Sequence, residues 1–97
     1  MTKATTPWDV QEFLQTPEDC AHYVQAAIEE AGDDAVFIAK ALGDVAKSRG
    51  MAAVARDAGL TREGLYKALG DKANPSFATI LRVLRALGLK VAVAPAT

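Results

Sequence analysis

Start and stop signals for helices divide the chain from residue 16 onward into five segments. Thr16 precedes Pro17-Glu18-Asp19, which places an N-cap hydroxyl before a proline and two acidic residues. Apolar residues then recur at the spacing of an amphipathic helix as far as Gly32. Similar segments run from Asp34 to Gly50, from Met51 to Gly59, from Thr61 to about Leu69, and from Ser76 to Gly88. The pattern predicts an all-α protein, a bundle of five helices.

The apolar faces of these helices are expected to form the core. The positions predicted to point inward on the three long helices are Cys20, Tyr23, Val24, Ala27, Ile28 and Ala31, then Phe37, Ile38, Ala41, Leu42 and Val45, and last Phe77, Ile80, Leu81, Leu84 and Leu87. The tail, residues 89–93, alternates and is rich in β-branched residues, which predicts a short strand. Such a strand needs a second copy of the chain as its partner; the alternative is a frayed tail.

The composition excludes several classes of protein. A chain of 97 residues with 51% hydrophobic and 24% charged residues has the make-up of one globular domain. A single cysteine cannot form an internal disulfide, and no Cys/His pair has ligand spacing, so we expect no metal and no cofactor. No apolar run is long enough to span a membrane, which favours a cytoplasmic location. No residues converge for catalysis and His22 is the single histidine, so we do not expect an enzyme.

Charge is strongly segregated along the chain. Residues 1–45 carry nine acidic and two basic side chains, a net charge of −7, whereas residues 46–97 carry nine basic and three acidic side chains, a net charge of +6. The basic part suits an anionic polymer, which suggests two surfaces for two kinds of partner. The alternative is that a small acidic leader happens to precede a basic core.

Residues 51–69 match the helix-turn-helix template position by position. The template requires a small residue where the second helix crosses, here Ala55, and a residue that tolerates positive φ in the turn, here Gly59. Its apolar positions hold Val54, Ala58, Leu60, Leu65 and Ala68. The match predicts a lambda-repressor-like DNA-binding domain with double-stranded operator DNA as its partner.

A helical wheel separates two faces of the second helix of this motif. Leu65, Ala68 and Leu69 fall within an arc of about 100°, while Arg62, Glu63, Tyr66 and Lys67 fall within an opposite arc of about 140°. The second set is predicted to contact DNA: Arg62 can read guanine, Glu63 can accept from cytosine, and Tyr66 and Lys67 can meet base edges or phosphates. Thr61 is placed to hold a phosphate, and Lys72 and Asn74 in the following loop are expected to contact the backbone.

Together, the runs ARDAGLTREGLYKAL and NPSFATILRVLRALGL resemble the HigA-like antidote proteins of bacterial addiction modules, which are of the Cro/phage-repressor helix-turn-helix type. The resemblance implies two activities: neutralising a RelE/ParE-like toxin, and repressing the operon that encodes both proteins. The chain departs from the family pattern at Gly64, where serine is common, and at Ala52-Ala53, where a polar pair is common. The alternative functions are a helix-turn-helix repressor without a toxin partner and a helical protein–protein adaptor that has lost DNA binding.

The resemblance gives the acidic part a role. Because an RNA-cleaving toxin needs a basic surface, we expect residues 1–33, an acidic leader and helix, to contact the toxin, and residues 34–97 to form the DNA-binding domain with its tail. The candidate apolar anchors in the leader are Trp8, Val10, Phe13 and Leu14. The alternative is that the leader packs on the core of its own domain. A homodimer is expected, with recognition helices about 34 Å apart in successive major grooves.

Overall fold

The computed structural model describes residues 14–70 and 74–96. Within these ranges the chain forms five α-helices and no strand: α1 (Pro17–Ala31), α2 (Ala35–Arg49), α3 (Met51–Ala58), α4 (Arg62–Ala68) and α5 (Phe77–Ala86). The predicted all-helical class is confirmed for these ranges, and so are the five helices predicted from residue 16 onward. Each helix begins and ends within one or two residues of the predicted signals.

Side-chain caps fix the start of four helices. At α1 the backbone N–H of Asp19 donates to Thr16 Oγ1 at 3.0 Å, and the N–H of Thr16 donates back to Asp19 Oδ2 at 3.3 Å, which completes a capping box. Asp34, Thr61 and Ser76 each accept from the backbone N–H three residues later, at 2.9–3.2 Å. These bonds satisfy N–H groups that have no partner within the helix.

The core receives side chains from all five helices. Helix α1 packs against α2, and α3 contacts α2, α4 and α5. The largest side chains that are fully buried are Leu42, Leu65, Leu87, Val45, Val83 and Cys20. They come from α1, α2, α4 and α5 and the residue that ends α5, so the core joins the acidic helix to the basic ones.

Four apolar residues predicted to point inward are exposed. The exposed fractions are 43% for Ile28, 40% for Phe37, 68% for Phe77 and 39% for Leu81. Three of them lie in the first or last turn of a helix, where no neighbouring helix in the described ranges covers them. The prediction was wrong at these positions because periodicity identifies the apolar face of a helix but not how far other helices extend over it.

The predicted C-terminal strand is not found. Residues 89–96 have no regular secondary structure, and Val93 is 93% exposed. Gly88 has φ +78°, and the N–H of Leu89 donates to the carbonyl of Leu84 at 2.8 Å, so the end of α5 turns Leu89 back onto the core. Beyond that turn, the described part of the chain offers no strand edge for the tail to pair with.

Two polar links between helices were not predicted from the sequence. The hydroxyl of Tyr23 in α1 donates to Asp44 Oδ2 in α2 at 2.6 Å. Burial, together with this bond to a carboxylate, raises the pKa of Tyr23 to about 12. The guanidinium of Arg49 donates to the carbonyl of Leu87 at 3.3 Å, which joins the end of α2 to the end of α5.

Candidate nucleic-acid interface

The turn between α3 and α4 is a Schellman motif built on Gly59. Gly59 has φ +74° and ψ +30°, the left-handed conformation. Its N–H donates to the carbonyl of Arg56 at 3.2 Å, and the N–H of Leu60 donates to the carbonyl of Ala55 at 2.8 Å. Ala55 itself is 2% exposed, as expected for the small residue at the crossing of the two helices. The turn therefore fixes the direction in which α4 leaves α3.

Helix α4 has one buried and one exposed face. Leu65 is fully buried and Leu69 is 6% exposed. The four residues of the opposite arc, Arg62, Glu63, Tyr66 and Lys67, are all exposed. The split in burial agrees with the helical wheel, so α4 presents a continuous row of charged and aromatic side chains to solvent.

Two side chains of this row contact each other. The guanidinium carbon of Arg62 lies 5.6 Å from the centre of the Tyr66 ring, one helical turn away. At an exposed site a cation–π contact of this kind contributes about 0.5–1 kcal/mol. The contact is weak, and it favours an Arg62 conformer that lies beside Tyr66 on the outer face of α4.

Thr61 caps α4, and its hydroxyl lies beside the glycine at position 64. Thr61 Oγ1 accepts from the N–H of Gly64 at 2.9 Å. A Cβ atom at residue 64 would lie 3.0 Å from the same oxygen, which is closer than ordinary van der Waals contact. A larger residue at position 64 would require the Thr61 hydroxyl to shift by a few tenths of an ångström, a close approach that the sequence did not reveal.

The remaining candidate residues lie in or near the loop before α5. Asn74 is exposed and lines a shallow depression together with Lys67, Gly64 and Pro75. The structure therefore brings Asn74 close to the outer face of α4. Lys72 lies outside the described residues.

The described basic side chains of the second half of the chain are exposed. All eight basic residues described between positions 47 and 90 are exposed: Lys47, Arg49, Arg56, Arg62, Lys67, Arg82, Arg85 and Lys90. Arg56 Nε lies 3.5 Å from Asp57 Oδ1, an exposed ion pair of the kind that contributes little to stability. The positive charge of this half of the chain is therefore at the surface.

Of the four candidate anchors in the leader, the structure describes Leu14. Trp8, Val10 and Phe13 lie outside the described residues. Leu14 is 5% exposed and belongs to the core cluster with Cys20 and Val24. At Leu14 the structure thus agrees with the alternative in which the end of the leader packs on its own domain.

The described residues offer little for metal chemistry or for a membrane span. No group of three or more His, Cys, Asp or Glu residues in residues 14–70 and 74–96 could hold a metal ion. Burial raises the pKa of the Cys20 thiol, as expected of a cysteine that packs as a small apolar side chain. None of the helices described is long and apolar enough to cross a membrane.

Comparison with known proteins identifies the family. Residues 4–95 match a family described as "Probable addiction module antidote protein". The chain belongs to this family. The chain is also 44% identical over 90 residues to a protein of Haemophilus influenzae (strain ATCC 51907 / DSM 11121 / KW20 / Rd) described as "Uncharacterized protein", an alignment that covers 93% of this chain and 91% of that protein. No solved structure matches the chain.

The match to the antidote family spans all five helices. It includes the acidic helix α1 as well as the basic outer face of α4. Any function assigned to the family must therefore be examined on both surfaces, not only on the α3–α4 pair.

Proposed function

We propose that this antidote-family protein is an antitoxin that also represses its own operon through a helix-turn-helix of the HigA-like, Cro/phage-repressor type. The observation that carries the proposal is α4: a helix with Leu65 fully buried beneath it and four polar side chains exposed on its outer face. It follows a tight left-handed turn at Gly59 that sets its angle to α3. That arrangement suits a recognition helix lying in a major groove.

The roles follow from the chemistry of each side chain. Arg62 at the start of α4 can donate two hydrogen bonds to guanine O6 and N7, and Glu63 can accept from cytosine N4. Tyr66 and Lys67 lie further along the groove and can reach base edges or phosphates. Asn74 and Lys72 supply contacts to the phosphate backbone, and Thr61 orients the end of the helix toward it.

A binding titration tests this assignment. We expect Arg62→Ala to weaken binding to a duplex from the upstream promoter by about 1–3 kcal/mol at fixed salt and to relax the preference at one base pair per half-site. Arg82→Ala removes the same charge from the outer face of α5 and is the matched control, with a loss shared equally by specific and random duplexes. Unchanged promoter affinity for Arg62→Ala, measured by fluorescence anisotropy, would exclude α4 as the reading element.

The toxin partner is proposed from family membership and charge. An antidote acts by binding rather than by catalysis, and a RelE/ParE-like toxin that cleaves RNA must offer a basic surface to its substrate. Residues 1–33 carry seven acidic side chains and one basic one, and the leader adds Trp8, Val10 and Phe13 as apolar anchors. These residues suit a basic partner.

Deletion of residues 1–13 tests the leader. This deletion retains Leu14 in the core and the Thr16–Asp19 capping box, so the five helices should remain folded. We expect the shortened protein to bind promoter DNA normally and to lose affinity for the product of the neighbouring gene in its operon. Full affinity for that product would show that the leader is structural.

We also propose that the protein binds DNA as a homodimer. Two copies would place their α4 helices about 34 Å apart on a near-palindromic operator. The exposed tail, with Val91 and Val93 unpaired in the single chain, is the segment proposed to pair between copies.

A further inference from the structure

A groove runs between α1 and α2 on the acidic side of the protein. Its volume is about 310 Å³, and its lining includes Tyr23, Ala26 and Glu30 from α1 and Phe37, Lys40 and Asp44 from α2. Alanine side chains form its floor, and Phe37, which is 40% exposed, stands at the end nearest the α1–α2 connection. The groove therefore combines an apolar base with a large exposed aromatic ring.

Carboxylates border the groove. Glu30 and Asp44 line it, with Lys40 as the one basic side chain among the lining residues. The Tyr23 hydroxyl holds Asp44 by a 2.6 Å hydrogen bond to Oδ2, so this carboxylate is fixed in place before any partner arrives. The α1–α2 connection adds Asp33 and Asp34, both exposed. Residues 14–46 as a whole carry seven acidic side chains and one basic one, a net charge of −6.

The negative charge around the groove limits the kinds of partner that could bind there. A nucleic acid is repelled by carboxylates at this density. A second copy that paired through the same groove would bring the net charge of −6 of its own residues 14–46 against the first, and like charges facing each other in an interface are costly. A basic protein surface that carries an apolar side chain satisfies both the charge and the shape.

We propose that the α1–α2 groove is the toxin-binding site of this antitoxin, an inference that rests on the function proposed above. The toxin inserts an apolar side chain against Phe37 and Ala26, and it sets lysine or arginine side chains from its RNA-binding surface against Glu30 and Asp44. The ring of Phe37 supplies the anchor, while the carboxylates guide association and fix the orientation of the partner. The site thus includes α2, beyond the leader and α1 to which the sequence assigned the toxin.

Adjacent residues provide matched controls. Glu30→Lys reverses a charge inside the groove, whereas Glu29→Lys makes the same change one residue away, at an exposed position that does not line it. Phe37→Ala removes the ring, whereas Val36→Ala shortens a neighbouring side chain that is 38% exposed and also lies outside the lining. All four positions are exposed, so the fold should tolerate each change.

The experiment measures binding of each variant to the purified product of the neighbouring gene by biolayer interferometry. We expect Glu30→Lys and Phe37→Ala each to raise the Kd by about tenfold or more, and the two controls to change it less than about threefold. Thermal melting and promoter binding by the same variants report that the protein is folded and that the DNA-binding face is intact.

The outcomes of this experiment distinguish failure of the groove proposal from failure of the proposed antitoxin function. If the wild-type protein does not bind the gene product, the antitoxin function fails and the groove proposal fails with it. If the wild type binds and the groove variants bind as the controls do, the function stands and the groove is not the site. A groove variant that changes the sedimenting mass, or that lowers the melting temperature without changing the Kd, would show that the groove is filled by a second copy or by the chain itself.

Discussion

The same chemical change, glycine to alanine, should have opposite effects on stability at two positions in this fold. Gly59 has φ +74° in the α3–α4 turn, where an L-residue pays about 1–2 kcal/mol for the left-handed conformation. A Cβ atom there would meet nothing within 4 Å, so the cost is conformational and not steric. The reduced freedom of the unfolded chain offsets part of it, which leaves a net loss of about 1 kcal/mol for Gly59→Ala.

Gly43 lies inside α2, where alanine is the better residue. A Cβ atom there would lie 3.5 Å from the carbonyl oxygen of Leu69 and 3.6 Å from its Cβ, which is ordinary van der Waals contact. Without a clash, Gly43→Ala should gain the helix propensity of alanine, about 0.5–1 kcal/mol. The two variants should therefore differ by about 2 kcal/mol in their free energy of unfolding.

Thermal and urea unfolding followed by circular dichroism measure this difference. For a domain of this size 1 kcal/mol corresponds to about 4–8 °C, so Gly59→Ala should melt well below the wild type and Gly43→Ala slightly above it. Gly59→Asn should lose less than Gly59→Ala, because asparagine tolerates the left-handed region. Equal melting temperatures for the wild type and Gly59→Ala would refute the left-handed turn, and destabilisation by Gly43→Ala would refute the packing of α2 against Leu69.

Three further predictions test the Thr61 cap, the half-buried Tyr23 and the tail. Thr61→Ala should lower the free energy of unfolding by about 1 kcal/mol, because it removes the hydrogen bond from the Gly64 N–H, whereas Thr61→Ser should keep most of that stability; thermal melting measures both. Because the pKa of Tyr23 is raised to about 12, the stability that its neutral form contributes is fully present below pH 10 and is lost as the pH rises toward 12. Tyr23→Phe should lack this loss in urea titrations at pH 9 and pH 11; an equal alkaline loss in both proteins would assign it to other groups. A chain that ends at Lys90 keeps the packing of Leu89 and should sediment as a monomer; a dimer would move the proposed interface from the tail to the helices.

The helices could be predicted because their signals are local. An N-cap hydroxyl such as Thr16 or Ser76 acts on an N–H three residues away, and a C-terminal glycine such as Gly88 acts within one turn. The two faces of α4 could also be predicted from local geometry, because residues two positions apart, such as Glu63 and Leu65, lie on nearly opposite sides of a helix. The Arg62–Tyr66 contact at i, i+4 belongs to the same class and could have been found from the spacing.

The groove could not be predicted because it depends on contacts between helices. Periodicity placed Phe37 inside, and its exposure follows from how far α1 extends past it. Tyr23 and Asp44 are 21 residues apart, and their hydrogen bond depends on how α1 and α2 pack against each other. The sequence therefore indicated an acidic segment, but the α1–α2 groove with carboxylates at its border exists only because α1 packs on α2.

The two proposed sites share one small body, and electrostatic screening decides how strongly they influence each other. The protein measures 39 × 38 × 24 Å, whereas the Debye length is about 8 Å at physiological ionic strength. Carboxylates around the α1–α2 groove that lie more than this distance from the outer face of α4 act weakly on DNA phosphates there. At low salt the screening length grows to about 30 Å and the net charge of −6 over residues 14–46 opposes DNA binding. A basic toxin in the groove neutralises that charge, so it should strengthen promoter binding at 10 mM salt by much more than at 150 mM. An equal gain at both concentrations would mean that the toxin contacts the DNA itself or changes the arrangement of the α4 helices.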